Sequence, residues 1–224
     1  MTKSVLVVAA HADDEVLGCG GTIARHVAEG DIVHVVFMAD GVLSRRDSQM
    51  EEKLQHRNQA RDEALRILGV THCHTLDFRD NCMDSVPLLD VVQALEPIVQ
   101  QVRPKRVYTH HHGDMNIDHR VTHQAVMTAC RPLPGSTVRE ILTFEIMSST
   151  EWATPGVMPF TPNAFVDITN YMQIKIKALE AYKIEMRSAP HSRNIAHLET
   201  LARHRGYTVG IDAAEGFMIC KYIF

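Results

Sequence analysis

Two short segments hold most of the residues that could perform chemistry. One is HADDE (11–15), which directly follows an apolar run, and the other is HHHGDMNIDHR (110–120). Charged side chains at the end of a buried strand are costly unless they are paired, hydrated or bound to a cation. Imidazole and carboxylate together suit zinc, and a catalytic zinc keeps three protein ligands and leaves one position for water. The sequence therefore predicts a divalent metal site, with His11, Asp14 and one histidine of the second segment as ligands.

The elements that must position these segments alternate along the first 130 residues. Apolar runs predict strands, periodic segments predict helices, and no hairpin signals intervene, a pattern typical of a mostly parallel sheet with helices on both faces. The predicted strands are 4–10, 31–38, 72–77 and 106–109, and the predicted helices are 15–29, 51–69, 87–102 and 119–130. The fold class is therefore α/β.

The strand order decides whether the two segments meet. In an open α/β sheet, ligands bind beyond the carboxyl ends of the strands, where the strand order reverses. If the order is 3-2-1-4, strands one and four are neighbours, and the segments that follow them face each other. We therefore expect HADDE and HHHGDMNIDHR to form one site.

The regular alternation of predicted strands and helices ends at RPLPG (131–135). Strands are predicted at 139–146, 164–168 and 216–223, and helices at 170–187 and 194–205, with an irregular connection in 154–162. We interpret residues 1–224 as a single domain, in which 1–130 form the core and 131–224 extend the sheet and cap the site.

Composition excludes several classes of protein. The net charge of −4 favours neither nucleic acid nor an anionic membrane surface as a partner. No apolar run approaches the roughly 20 residues of a membrane span, and no signal peptide is recognisable. Five cysteines without a CxxC pair make a poor disulfide framework. We expect a cytoplasmic protein without a membrane span.

The two segments also carry a family resemblance. AHADDEVLGCGG (10–21) resembles the AHPDDE signature of the PIG-L/LmbE-type zinc N-deacetylases, and NIDHRVTHQAV (116–126) resembles their second signature. RNQARDEALRILGV (57–70) and AEGF (214–217) also look similar to family segments. The resemblance implies a Rossmann-like three-layer fold and one Zn²⁺ per chain, with other divalent metals as alternatives. It implies removal of an acetyl group from an N-acetylated amino sugar or sugar conjugate.

The resemblance also implies roles for individual residues. His11, Asp14 and His119 would hold the zinc ion, and Asp13 would be the general base that accepts a proton from the attacking water. Asn116 stands where the family has a histidine. Its amide can donate a hydrogen bond to an oxyanion, but it cannot act as an acid. The acid role is therefore open, with Asp13 or one of the histidines 110–112 as candidates.

Further residues could support the site or contact the substrate. Glu15 and Asp118 are candidates to orient the metal ligands, because metal-bound histidines usually need a hydrogen-bond partner. The candidate substrate-binding residues are Arg45, Arg46, His112, His191 and Arg193. If the substrate is nucleotide-linked, these arginines would clamp its diphosphate. Relatives of this kind often assemble, so we also expect a homo-oligomer.

Three different functions compete with deacetylation. The chain could be a metal-binding or sugar-binding protein of the same fold that has lost catalysis through Asn116. A metal-dependent phosphoesterase would need bridging carboxylates, which Asp114 and Asp118 could provide. A dinucleotide-binding enzyme fits less well, because residues 18–21 read GCGG instead of GxGxxG and the preceding carboxylates would repel a pyrophosphate.

Overall fold

The computed structural model describes residues 2–39 and 50–224. They contain seven strands, β1 (Ser4–Ala9), β2 (Ile32–Ala39), β3 (His72–Phe78), β4 (Arg106–His110), β5 (Glu140–Phe144), β6 (Ala164–Asp167) and β7 (Ala214–Tyr222). The longer helices are α1 (Asp14–Ala28), α2 (Met50–Leu68), α3 (Leu88–Val102), α4 (Ile117–Ala129), α5 (Met172–Ala181) and α6 (Ile195–Tyr207).

The strands form one sheet in the order β3-β2-β1-β4-β5-β7-β6. The first five run parallel, and β7 pairs antiparallel with both β5 and β6. The expected order 3-2-1-4 is present, so the segments that follow β1 and β4 emerge side by side. The expectation of a mostly parallel α/β fold is confirmed.

The apolar run in β1 is buried on both faces of the sheet because successive side chains point to opposite sides. Val5, Val7 and Ala9 pack with residues of α1, α2, α5 and α6. Leu6 and Val8 pack with residues of α3 and α4 on the other face. The result is a helix–sheet–helix sandwich. Within residues 2–39 and 50–224, none of the helices is long and apolar enough to cross a bilayer.

The glycines of the first motif serve helix packing. A Cβ on Gly18 would lie 2.4 Å from the ring of Phe144 in β5, and a Cβ on Gly21 would lie 2.8 Å from Ile168. Only glycine lets α1 approach the sheet this closely. Close helix packing therefore explains the glycines of GCGG, and a phosphate-binding role is not needed to explain them.

A buried ion pair holds α1 where the helix is interrupted. Cys19 has non-helical angles (φ −149°, ψ 25°), so the helix restarts after it. The Glu215 carboxylate of β7 accepts hydrogen bonds from the backbone N–H groups of Gly21 (3.0 Å) and Thr22 (2.7 Å). Lys175 of α5 contacts Glu215 at 2.6 Å and donates to the Leu17 carbonyl at 3.0 Å. The AEGF segment therefore caps the second half of α1.

One predicted helix is shorter than expected. The sequence predicts a helix over 170–187, whereas α5 ends at Ala181. The next residue, Tyr182, is buried and directs its hydroxyl to Glu15 of α1. The helix therefore stops before this contact, and residues 187–194 form a loop that brings Arg193 to the site.

Candidate active site

Asp14 lies at the centre of a buried group formed by the two predicted segments. Its Oδ2 lies 3.4 Å from Nδ1 of His11 and 3.3 Å from Nε2 of His119. One ligand atom from each of the three residues lies within 4.8 Å of the others. His11 and Asp14 come from the β1–α1 turn, and His119 comes from the first turn of α4.

Each histidine in this group has its other ring nitrogen against a carboxylate. Nε2 of His11 lies 3.0 Å from Asp118 Oδ2 and 3.0 Å from Asp80 Oδ1. Nδ1 of His119 lies 3.1 Å from Asp114 Oδ1. Ionised carboxylates only accept hydrogen bonds, so these contacts place the ring protons on the outer nitrogens. The inner nitrogens then face Asp14, and a cation bound there would take the place of their protons.

This donor set fits a divalent cation. Burial opposes ionisation of Asp14, but the imidazoles of His119 and His110 hold its pKa well below the usual range. Burial also lowers the pKa of His119, but Asp14 and Asp114 together raise it to about 9. A carboxylate oxygen and two imidazole nitrogens facing one point need a positive charge there, and zinc is the ion that most often uses this mixture.

A second group of side chains is less well suited to bind a metal ion. It consists of His11, Asp80 and Asp118. Asp118 Oδ2 accepts the backbone N–H of Asn81 at 2.7 Å, and Oδ1 accepts that of Met83 at 3.0 Å. Its oxygens are therefore already occupied by donors. We interpret Asp118 and Asp80 as residues that orient His11.

Asp114 is fixed as firmly as Asp118. It accepts hydrogen bonds from the hydroxyls of Ser149 and Thr150, the latter at 2.6 Å, and from the Asn116 backbone N–H at 2.8 Å. Burial would raise the pKa of Asp114, but its contacts with His119 and with the two hydroxyls lower it to about 2. Asp114 is therefore ionised and holds the ring of His119 in one orientation.

Asp13 lies beside the candidate metal ligands at the edge of the pocket, with an exposure of 1%. Its Oδ2 accepts a hydrogen bond from Arg193 at 2.9 Å. Burial raises the pKa of Asp13 to about 6, against the lowering effect of Arg193. A carboxyl group that binds a proton near neutral pH suits general base catalysis.

Glu15 faces away from the pocket and supports the turn. One carboxylate oxygen accepts the Asp13 backbone N–H at 3.0 Å, and the other accepts the hydroxyl of Tyr182 at 2.7 Å. Burial raises the pKa of Glu15 to about 8, which the Tyr182 hydrogen bond opposes.

Asn116 is the N-cap of α4 and also lines the pocket. Its Oδ1 accepts the Asp118 backbone N–H at 2.8 Å, which satisfies one free donor of the helix. Its Nδ2 donates to Asn81 Oδ1 at 3.2 Å. The asparagine therefore caps the helix and directs a hydrogen-bond donor along the pocket wall.

The pocket has a volume of about 500 Å³ and is strongly polar. Around the candidate metal group its wall includes Asp13, Arg57, Asp80, Asn81, Met115, Asn116, Ser148, Ser149, Glu185 and Arg193. Arg57 points its guanidinium to the Ala12 carbonyl at 3.3 Å. Two arginines and several carboxylates thus surround the position where a substrate would lie.

The remaining candidate substrate-binding residues do not line the pocket or lie outside the described residues. The His112 ring packs against His111 and His123 instead of facing the metal group. His191 packs edge-on against Trp152 and accepts the Arg193 backbone N–H at 3.0 Å, so it supports the loop that carries Arg193. Arg45 and Arg46 lie outside the described residues.

Asp80 and Tyr182 lie outside the two motifs, whereas His110 lies in the second motif and was a candidate only for the acid role. Asp80 follows β3 at the same sheet edge as the motifs, so the rule that found the motifs could have found it. His110 stacks on His119 with ring centroids 3.9 Å apart and accepts the Ala10 backbone N–H at 2.8 Å. Tyr182 carries no signal in the sequence, because nothing in a helical segment marks a contact 167 residues away.

Comparisons with known proteins agree with the motifs. The PIG-L family, described as GlcNAc-PI de-N-acetylase, matches residues 6–130. The uncharacterized deacetylase YaiS of Escherichia coli is 34% identical over 187 residues, which cover 81% of this chain and 91% of that protein.

Two solved structures illustrate the range of the fold. The N,N'-diacetylchitobiose deacetylase of Pyrococcus horikoshii has a TM-score of 0.80 at 25% identity, covering 98% of this chain and 84% of its own. The 4-carboxy-2-hydroxymuconate hydratase of Pseudomonas putida has a TM-score of 0.76 at 25% identity, covering 100% of this chain and 98% of its own. The fold therefore also supports chemistry other than deacetylation.

The family match covers more than half of the chain, and the resemblance of the two motifs is confirmed. The expected enzyme class, an N-deacetylase, is confirmed by the same matches. The chain belongs to the PIG-L family of de-N-acetylases.

Proposed function

We propose that this protein is a zinc-dependent hydrolase that removes the acetyl group from an N-acetylated amino sugar or sugar conjugate. The observation that carries the proposal is the convergence of His11, Asp14 and His119, with the buried carboxyl of Asp13 next to them in an open pocket. An amide hydrolase needs an electrophilic centre and a base at one place, and this arrangement supplies both.

His11, Asp14 and His119 would hold one zinc ion per chain, although other divalent metals could use the same ligands. When bound, zinc supplies a Lewis acid that polarises the amide carbonyl and makes water easier to deprotonate. Asp118, Asp80 and Asp114 keep the two imidazoles oriented for this role.

Asp13 would move the proton during the reaction. It accepts a proton as the water oxygen bonds to the amide carbon, and the carbon–nitrogen bond then breaks to release acetate and an amine. The amine nitrogen must gain a proton. Asp13 lines the pocket, and none of the histidines 110–112 does, so we assign this second transfer to Asp13 as well. Arg193 keeps the Asp13 carboxylate in place between the two transfers.

Asn116 would stabilise charge without transferring a proton. Its Nδ2 borders the pocket and could donate a hydrogen bond to the oxygen that becomes negative. The family histidine at this position would supply both a donor and an acid. The substitution therefore makes the second role of Asp13 more important here.

The loop that carries His191 and Arg193 would bind the substrate, and Arg45 and Arg46, which lie outside the described residues, stay candidates for the same role. A nucleotide-linked sugar would place its diphosphate against these arginines. We also propose a cytoplasmic, single-domain protein that forms homo-oligomers and has no nucleic-acid partner; light scattering of the purified protein tests the assembly.

Acetate release tests the function directly. The purified protein is incubated with N-acetylhexosamines, free, in disaccharides and nucleotide-linked, and acetate and free amine are quantified. We expect at least one substrate to yield both in equal amounts, with a loss of about 100-fold or more in Asp13→Asn. Asp62→Asn, which changes an exposed carboxylate on α2, is the matched control. Saturable sugar binding without acetate would identify a catalytically impaired binding protein.

A phosphoesterase or a hydratase would give a different product in the same experiment. Phosphate release from a sugar phosphate would indicate a phosphoesterase, and addition of water to an unsaturated carboxylate would indicate a hydratase. Either activity in the absence of acetate release would contradict the proposal.

A further inference from the structure

The backbone of Asp13 has an unusual conformation. Its φ is 122° and its ψ is −29°, which residues with a Cβ rarely adopt. Asp13 is also buried, and its carbonyl accepts the N–H groups of Val16 and Leu17 at 3.1 and 2.9 Å. A strained conformation at a functional residue persists only where its surroundings impose it.

Two contacts hold Asp13 from opposite sides. Arg193 donates to the side-chain carboxylate at 2.9 Å, and Glu15 accepts the backbone N–H at 3.0 Å. Glu15 has no exposed surface, so the second oxygen of its carboxyl group needs a donor within the protein. The Tyr182 hydroxyl supplies that donor at 2.7 Å from the end of α5, and Tyr182 is itself 1% exposed.

We propose that Tyr182 is a positioning residue for the reaction, which acts through Glu15 to keep the Asp13 carboxylate directed into the pocket. This inference rests on the proposed function. Without the Tyr182 hydroxyl, the Glu15 carboxylate loses one of its two hydrogen bonds and can turn away from the Asp13 N–H. The turn could then relax to an ordinary conformation, and the base would point elsewhere.

Tyr182→Phe tests the inference because it removes one oxygen and keeps the ring that packs in the core. Tyr108→Phe is a matched control. Tyr108 is also 1% exposed, and its hydroxyl pairs with His26 and Arg106 at the other end of the sheet. Both variants lose a buried hydroxyl, but only one loses a contact with Glu15.

We expect Tyr182→Phe to lower kcat about tenfold, with KM and zinc content within about twofold of wild type. Tyr108→Phe should keep the kcat of the wild type. Glu15→Gln should retain more activity than Glu15→Ala, because its amide oxygen can still accept the Asp13 N–H. The losses in Glu15→Gln and Tyr182→Phe should be non-additive, because the two residues act through one contact.

A second readout needs no substrate. Amide hydrogen exchange at Asp13 should be faster in Tyr182→Phe than in Tyr108→Phe when the two variants have equal global stability. Unchanged kcat in Tyr182→Phe, or equal exchange in the two variants, would overturn the inference. A wild-type protein that releases no acetate would instead refute the proposed function, and the exchange experiment would still decide whether Tyr182 fixes Asp13.

Discussion

The carboxylate of Asp118 contacts the ring of His11 at 3.0 Å, across 107 residues of sequence, and does not hold the ring of its neighbour His119. The backbone N–H groups of Asn81 and Met83 fix Asp118 in place. His119 depends on a different carboxylate, that of Asp114. The two candidate histidine ligands therefore share no orienting acid: Asp118 and Asp80 contact His11, and Asp114 contacts His119.

Asp118→Asn should weaken zinc binding by about 10–100-fold, because the amide cannot stabilise the His11 ring as a carboxylate does. Competition with a chromogenic zinc chelator measures the affinity. Asp62→Asn, on the exposed surface of α2, is the control and should bind zinc like the wild type. Unchanged affinity in Asp118→Asn would show that zinc binding does not depend on Asp118.

Asn116→His should retain or increase deacetylation, because an imidazole can both donate a hydrogen bond and release a proton. It should also lose about 1 kcal/mol of stability, since Asn116 caps α4. Asn116→Asp separates the two roles: the carboxylate still caps the helix but has no N–H to donate. We expect Asn116→Asp to lower kcat about 100-fold. Full activity in Asn116→Asp would exclude the asparagine amide as a donor to the substrate.

Glu215→Ala should destabilise the fold by about 3–5 kcal/mol, because it leaves Lys175 buried without its partner. The substitution also removes the acceptor for the backbone N–H groups of Gly21 and Thr22, where α1 restarts after its interruption. Urea denaturation measures the free energy of unfolding. Glu199→Ala, which removes an exposed ion pair with Arg203 on α6, should remain close to wild type. Equal losses in the two variants would contradict the capping role of Glu215.

Stability at acid pH should depend on His34. Burial, with like charges at His72 and His74, lowers the pKa of His34 to about 4. The unfolded chain binds a proton at the ordinary value near 6.5, so His34 destabilises the fold progressively as the pH falls from about 6.5 to about 4. The unfolding free energy of His34→Gln should therefore fall less over this range than that of the wild type. His197→Gln, on an exposed part of α6, should keep the wild-type slope; identical slopes in all three proteins would exclude this effect.

The sequence predicts the layers and the parallel strands well because buried parallel strands have continuous apolar runs and their helices have clear ends; the order 3-2-1-4 entered only as a condition, which the structure meets. The same topology explains why residues 11–15 and 110–120 could be expected at one site. The sequence did not predict which side chains contact each other within that site. Asp118 is next to His119 in sequence, but the helical turn of α4 directs it to His11.

Contacts between distant elements could not be predicted from local patterns. Tyr182 lies in a segment that reads as continuous helix, yet α5 ends just before it and its hydroxyl lies against Glu15. Glu215 belongs to a segment noticed only for its resemblance to the family. Its role depends on a break in α1 at Cys19, which no helix signal in the sequence reveals.

The most direct test of the proposed metal site is the zinc content of three proteins purified without added metal or chelator: wild type, His119→Ala and His123→Ala. His123 lies on the same helix as His119, but its ring donates to the His110 carbonyl at 2.9 Å. We predict about one zinc per chain in wild type and His123→Ala, and almost none in His119→Ala. A wild-type protein that takes up no zinc on titration, or a His119→Ala variant that retains it, would contradict the proposed metal site.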